Sequence, residues 1–431
     1  MSIFLAKTAL LPEGWAQDVK ITADAQGFIT AIQTGQAPCA EATILNGPVI
    51  AGMPNLHSHA FQRDFAGQSE YASADKDSFW TWRKLMYDFM DVLEADQLED
   101  IAYKLYREML AAGYTHVGEF HYIHHSPDGS PYPERTNLSH VMIQAAKKAG
   151  IGITLLPVLY AHSGFGGLAP TRGQRRFINT APQYIDMLKA LHDQYKNDPQ
   201  VKIGAAFHSL RAVTPEMIKD VCQAIQSIDA EMPIHIHIAE QEQEVEDCLK
   251  WCGKRPVEWL LKNVDIGSQW CLVHATQMTK SETIALAKSG AVVGLCPTTE
   301  ANLGDGLFNF SDYVALGGQW GIGSDSHISV NMCEELRWLE YGQRLIRKQR
   351  AITRTATQPH IGAHLYQSAL KGGAQVLSAQ IGALKIGFRA DFLMLETPVN
   401  IDQETLLDAF IFAGNVRIKR VYTGANCVIG Q

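Results

Sequence analysis

Two histidines separated by one residue, His57 and His59, close the apolar stretch PVIAGMPNLHSH at 48–59. Along an extended strand, side chains at i and i+2 point to the same side. Two imidazoles on one side can chelate a borderline-soft divalent metal, zinc above all. Taken alone, the pair fits two solvated loop histidines equally well, so the rest of the chain has to decide.

Short apolar segments recur downstream and end in titratable residues. Strands are expected at Val49–Met53, Thr115–Phe120, Ile153–Tyr160, Ile203–Phe207, Ile234–Ile238, Gln269–Val273, Ala291–Leu295 and Trp320–Ser324. Several are continuous apolar runs, as parallel strands buried on both faces require. Helical segments lie between them. Ala95–Ala112 sets Leu98, Ile101, Ala102, Leu105 and Met109 on one face and stops at Gly113. Thr214 before Pro215 reads as an N-cap, and Thr279 with Glu282 reads as a capping box. Strand and helix alternating eight times predict an α/β fold of the (β/α)8 barrel type, over residues 48–382. A doubly wound open sheet is the alternative, although no GxGxxG follows an early strand. Short strand-like pieces in 1–47 and 383–431 predict that both termini join in one small β-sandwich domain beside the barrel. The polar stretch Ser126–Asn137 reads as a surface loop.

In such a barrel the active site lies at the C-terminal ends of the strands. There the sequence offers His57 and His59, then His121 and Tyr122, His208 and Arg211, His237 and Glu240, His274, and Asp325. Six strand ends presenting titratable groups to one mouth point to a metal site. A catalytic zinc takes about three protein ligands and keeps a position open for water. His57, His59 and His237 are neutral nitrogen donors. Asp325 is a fourth ligand or the base that takes a proton from the bound water. His274 is placed to polarise the electrophile. Glu240 can reach the leaving nitrogen, although by itself it reads as a solvated acid in the run EQEQEVED. His235 faces the same way as His237 one layer deeper, which favours a packing role.

Composition excludes other classes. The chain has 431 residues, 46% of them hydrophobic and 19% charged, with a formal net charge of −8. No block of basic residues stands out, so neither nucleic acid nor an anionic membrane is an expected partner. No apolar run reaches membrane-spanning length, and no basic n-region with a long apolar core opens the chain. The eight cysteines form no close CxxC pair, and a reducing cytoplasm is the expected compartment.

The segments HSH at 57–59, HIAE at 237–240, His274 and SDS at 324–326 resemble the amidohydrolase superfamily. LCPTTEANLG at 295–304 resembles the strand-seven loop of its deaminase branch, and IGFRADFLML at 386–395 its closing sandwich segment. Strand four ends without a lysine, which disfavours the two-metal members and implies one zinc, or another divalent transition metal, per subunit. More narrowly, GMPNLHSHAFQR at 52–63, SFWTWRKLMY at 78–87, EFHYIHH at 119–125, FHSLRAV at 207–213 and HIHIAEQ at 235–241 resemble the formimidoylglutamate deiminase family of histidine degradation. That resemblance implies hydrolysis of N-formimidoyl-L-glutamate to N-formyl-L-glutamate and ammonia, with metal-activated hydroxide attacking the formimidoyl carbon. It implies metal ligation by His57, His59, His237 and Asp325, and acid–base and polarising roles for Glu240 and His274. It implies substrate contacts from Gln62, Arg83, Tyr122, His208 and Arg211, and a homodimer. The chemistry agrees: two arginines suit a dicarboxylate, and Glu240 suits a cationic formimidoyl group. A deaminase of the same superfamily acting on a nucleobase or nucleoside is the alternative.

Overall fold

The computed structural model describes residues 1–68, 70, 79–355, 358–398 and 401–430. Eight parallel strands form a nearly closed barrel. They are β1 (Met53–Ser58), β2 (Tyr114–His121), β3 (Gly152–Leu159), β4 (Val201–Ile203 and Ala205–Phe207, broken at Gly204), β5 (Ile234–Ile238), β6 (Trp270–His274), β7 (Val292–Leu295) and β8 (Gln319–Ile322). Each pairs with the next in sequence order. Every residue of β2, β3, β5 and β6 is buried, polar members such as His116, Glu119, His121, His235 and His237 along with the apolar ones.

Helices between the strands cover the outside. Ala95–Ala111 buries the expected face, Leu98, Ile101, Ala102, Leu105 and Met109, with Glu94 and Gln97 closing a capping box. Thr214 accepts from the Met217 amide with Pro215 at the first helical position, and Thr279 and Glu282 cap each other reciprocally. Residues 122–136 lie outside helix and strand.

The first barrel strand differs from expectation. Val49–Ala51 pairs with Phe392–Met394 and lies beside Ala9 in the other sheet, and the barrel strand begins only at Met53. Gly52 separates the two; a side chain there would drive into Thr115, its Cβ within 2.3 Å of that side chain. The termini therefore meet in one continuous eight-stranded sheet. Val49–Ala51 sits between the N-terminal and C-terminal strands of that sheet. Its own core holds Phe4, Phe392 and Tyr422, whose rings lie 4.6–5.3 Å apart.

The barrel closes where the histidines are. Between β8 and β1 the backbone joins through Ser58 and Asp325: the Asp325 amide donates to the His57 carbonyl at 3.0 Å, and the His59 amide donates to the Asp325 carbonyl at 3.1 Å. Below this seam Leu56 fills the barrel interior. Gly294 and Gly321 admit it, since a Cβ at either would come within 2.7 Å of its methyl groups.

Candidate active site

Three imidazoles and a carboxylate converge at the seam. His57 Nε2 lies 3.2 Å from His59 Nε2 and 2.9 Å from His237 Nε2. Asp325 Oδ1 lies 3.4 Å from His57 Nε2 and 3.3 Å from His59 Nε2. A tetrahedral zinc with bonds of about 2.0–2.1 Å sets its nitrogen ligands about 3.3 Å apart, so the spacing fits one ion. The tautomers fit as well. His59 Nδ1 bonds the Phe120 carbonyl and His237 Nδ1 bonds the His208 carbonyl, both at 3.0 Å. A carbonyl only accepts, so Nδ1 carries the proton and Nε2 turns its lone pair to the common point. Burial holds all three rings neutral. His57 is pushed down to about 3, and His59 and His237 lie below the usual histidine value. Phe120 of β2 packs against all three rings at centroid distances of 4.3–5.3 Å and fixes their planes.

Buried polar groups hold this edge from behind. Glu119 accepts from the Ala60 amide at 2.8 Å, Ser58 Oγ at 2.6 Å and Tyr106 Oη at 3.2 Å. Asn55 donates to Ser324 Oγ at 2.6 Å and accepts from the Ser324 amide at 3.1 Å. Asp325 at φ +46° and His274 at φ +68° take left-handed backbone, a conformation strained for non-glycine residues, where β8 and β6 turn out of the barrel.

A second group lies beside the first. His274 Nδ1 meets Glu300 Oε1 at 3.3 Å, while its Nε2 faces Glu240 at 3.9 Å and Asp325 Oδ2 at 3.7 Å. Burial opposes a charge on His274, but the charge of Glu240, the Glu300 bond and Asp325 outweigh it and raise the imidazole to about 10. Glu240 moves the other way. Burial, with Asp325 and Glu244 nearby, raises its carboxyl to about 7 against the pull of His274 and Arg211. The site thus sets a cationic imidazole beside a carboxyl that can hold a proton near neutral pH.

One cavity joins these groups. Of the residues expected from sequence, His59, Gln62, Arg83, Tyr122, His208, Arg211, His237, Glu240, His274 and Asp325 all line it, and His57 lies fully buried behind it. Gln62 Nε2 donates to Tyr122 Oη at 3.0 Å, and Arg83 Nη2 donates to Tyr160 Oη at 3.0 Å. Within SFWTWRKLMY, Ser78 lies outside the described residues; Arg83 sits on the helix Phe79–Met90 with Tyr87 under its guanidinium. His121 does not line the cavity, and His235 bonds the Val376 carbonyl at 2.9 Å in the barrel interior. Tyr160, Phe177 and Thr299 also line the cavity and were not singled out from sequence. Tyr160 could have been, since it closes β3, one of two strands whose mouth residues went unnamed.

The amidohydrolase family model matches residues 49–428. The model for the N-terminal domain of formimidoylglutamate deiminase HutF matches residues 1–42. A formimidoylglutamate deiminase from Pseudomonas aeruginosa is 50% identical over 97% of this chain and 92% of its own length. This chain belongs to the amidohydrolase family, among the formimidoylglutamate deiminases. A crystal structure of an amidohydrolase from Brucella melitensis superposes with a TM-score of 0.94 at 44% identity, covering all of this chain and 95% of the other. An adenosine deaminase from Xanthomonas campestris, solved with bound zinc, shares the fold with a TM-score of 0.81 at 20% identity, over all of this chain and 93% of the other. Family membership accounts for the metal-type cluster at the seam and for the sheet built from both termini.

Proposed function

We propose that this chain hydrolyses N-formimidoyl-L-glutamate to N-formyl-L-glutamate and ammonia. The observation that carries the reading is the single cavity in which a metal-type cluster, a protonated imidazole and a carboxyl near pH 7 share walls with Arg83 and Arg211. A pocket for an uncharged nucleobase has no use for two arginines. A substrate with two carboxylates does.

His57, His59, His237 and Asp325 would hold one divalent metal, zinc by the donor set. When bound, such an ion supplies a Lewis acid that makes hydroxide available from water near neutral pH. Asp325 Oδ2 takes the proton from the attacking water as the C–O bond forms at the formimidoyl carbon. His274 donates from Nε2 to the added oxygen. Glu240 gives its proton to the terminal nitrogen, the C–N bond breaks with its electron pair going to that nitrogen, ammonia leaves, and the remaining proton of the added oxygen passes to the Glu240 carboxylate as the formyl C=O forms. Arg83, Arg211, Tyr122, His208 and Gln62 orient the dicarboxylate so that this nitrogen, rather than the glutamate nitrogen, faces Glu240. Among the described residues no helix is long and apolar enough to cross a membrane. A cytoplasmic homodimer with one metal per subunit completes the proposal.

The products test it. Proton NMR of the reaction should show N-formyl-L-glutamate and ammonia in equal amounts. Formamide and free glutamate would mean that the other C–N bond breaks, and would overturn the role of Glu240.

A further inference from the structure

Tyr160 closes β3 at the cavity wall, and its hydroxyl is surrounded by donors. Thr171 fixes the first of them: its backbone amide donates to Gln174 Oε1 at 2.7 Å. The amide of Gln174 is thereby oriented, and its Nε2 donates to Tyr160 Oη at 2.7 Å. Arg83 Nη2, which can only donate, makes a second bond to the same oxygen at 3.0 Å. The phenol oxygen accepts twice, and its own hydrogen has no acceptor among the described residues. Tyr160 is 2% exposed, Gln174 is 1% exposed, and Tyr160 lines the cavity that Arg83 and Arg211 also line. A buried hydroxyl hydrogen without an acceptor is costly unless a ligand supplies one.

We propose that Tyr160 is a substrate-binding and specificity residue that donates its hydroxyl hydrogen to the carboxylate held by Arg83. The inference rests on the dicarboxylate reading above. The two bonds Tyr160 accepts, one from a cation, polarise its O–H and strengthen it as a donor. A carboxylate uses that strength, and a neutral amide oxygen uses less of it. Position selects which carboxylate. The ring of His237 lies 5.1 Å from that of His208, and His208 lies 4.4 Å from Tyr160, so Tyr160 stands two rings away from the metal-type cluster. It faces the side-chain carboxylate at the far end of the substrate.

Tyr160→Phe removes only the hydroxyl. On N-formimidoyl-L-glutamate it should raise KM about ten- to a hundredfold, with kcat changed less than about threefold. On N-formimidoyl-L-glutamine, which lacks the far charge, parent and variant should differ in KM by less than about threefold. An unchanged KM on the glutamate substrate overturns the proposal. So does an equal loss on both substrates, which marks a structural role through Gln174 and Arg83. If the parent protein itself releases no ammonia from N-formimidoyl-L-glutamate, the reaction assignment fails, and glutarate binding by calorimetry decides the residue. Glutarate at least about tenfold weaker in Tyr160→Phe supports the proposal, and equal affinity overturns it.

Discussion

Among the buried histidines outside the metal-type cluster, three with a single hydrogen bond each contribute to how this protein responds to acid. His116, His124 and His235 are buried, and each makes one hydrogen bond through Nε2, to Thr154 Oγ1, the Val158 carbonyl and the Val376 carbonyl respectively, all at 2.9 Å. In each, Nδ1 is buried with no partner among the described residues. A proton added there makes a cation with nothing to receive it. Burial, helped by the Arg389 charge, pushes His116 down to about 3, and burial pushes His124 and His235 down to about 4. The unfolded imidazole titrates at about 6.5. With the folded value depressed, the contribution to stability is fully present above pH 6.5 and is lost as the pH falls toward the folded value. At pH 5 the unfolded ring lies about 1.5 units below its pKa, at about 1.36 kcal/mol per unit, while the folded ring stays neutral. Each histidine therefore costs about 2 kcal/mol between pH 8 and pH 5, and the three together cost about 6 kcal/mol.

His116→Gln isolates one of these contributions. The Gln Nε2 can keep the bond to Thr154 and cannot take up a proton. Urea unfolding followed by tryptophan fluorescence at pH 8 and pH 5 gives the free energies. Whatever packing cost the variant has at pH 8, its deficit relative to the parent should shrink by about 2 kcal/mol at pH 5. Parent and variant curves that stay parallel across this range would refute the reasoning, because His116 would then titrate alike in both states.

Asp325→Asn should lower kcat by at least about a hundredfold with an unchanged melting transition; an active, metal-loaded variant would sink its assignment as ligand and base. Arg83→Ala and Arg211→Ala should each raise KM for the dicarboxylate about ten- to a hundredfold, and wild-type kinetics in either would remove it from the substrate site. In Glu240→Gln, kcat should fall about 10²–10⁴-fold and the loss of activity above pH 7 should disappear from the profile, because the group that must be protonated has gone. A parental alkaline limb in that variant would assign the proton to another group.

The sequence made the barrel legible because its strands are buried on both faces, so that apolar residues dominate β3, β6 and β7 and isoleucine alternates with histidine in β5. It misplaced the first strand for the same reason. Val49–Ala51 is apolar and lies in the terminal sheet, while β1 contains Asn55, His57 and Ser58, polar residues that look like loop. They are tolerated inside because Asn55 meets Ser324 and Ser58 meets Glu119, partners far away along the chain. Glu119 and Glu300 went unnoticed because single buried acids leave no periodic signal; only the fold shows Glu119 behind Ser58 and Ala60, and Glu300 against His274. The histidines proposed as metal ligands were visible from spacing and strand ends. The tautomers were not, because they depend on the carbonyls of Phe120 and His208.

The central claim is that a metal-type cluster and two arginines in one cavity serve a formimidoyl dicarboxylate. Ammonia release by the zinc-loaded protein, with N-formimidoyl-L-glutamate, guanine, cytosine and S-adenosylhomocysteine offered in parallel, tests it most directly. Rapid release from the glutamate derivative alone is the predicted result. Turnover of a base or nucleoside with none of the glutamate derivative would contradict it, keeping the metal chemistry and overturning the substrate pocket.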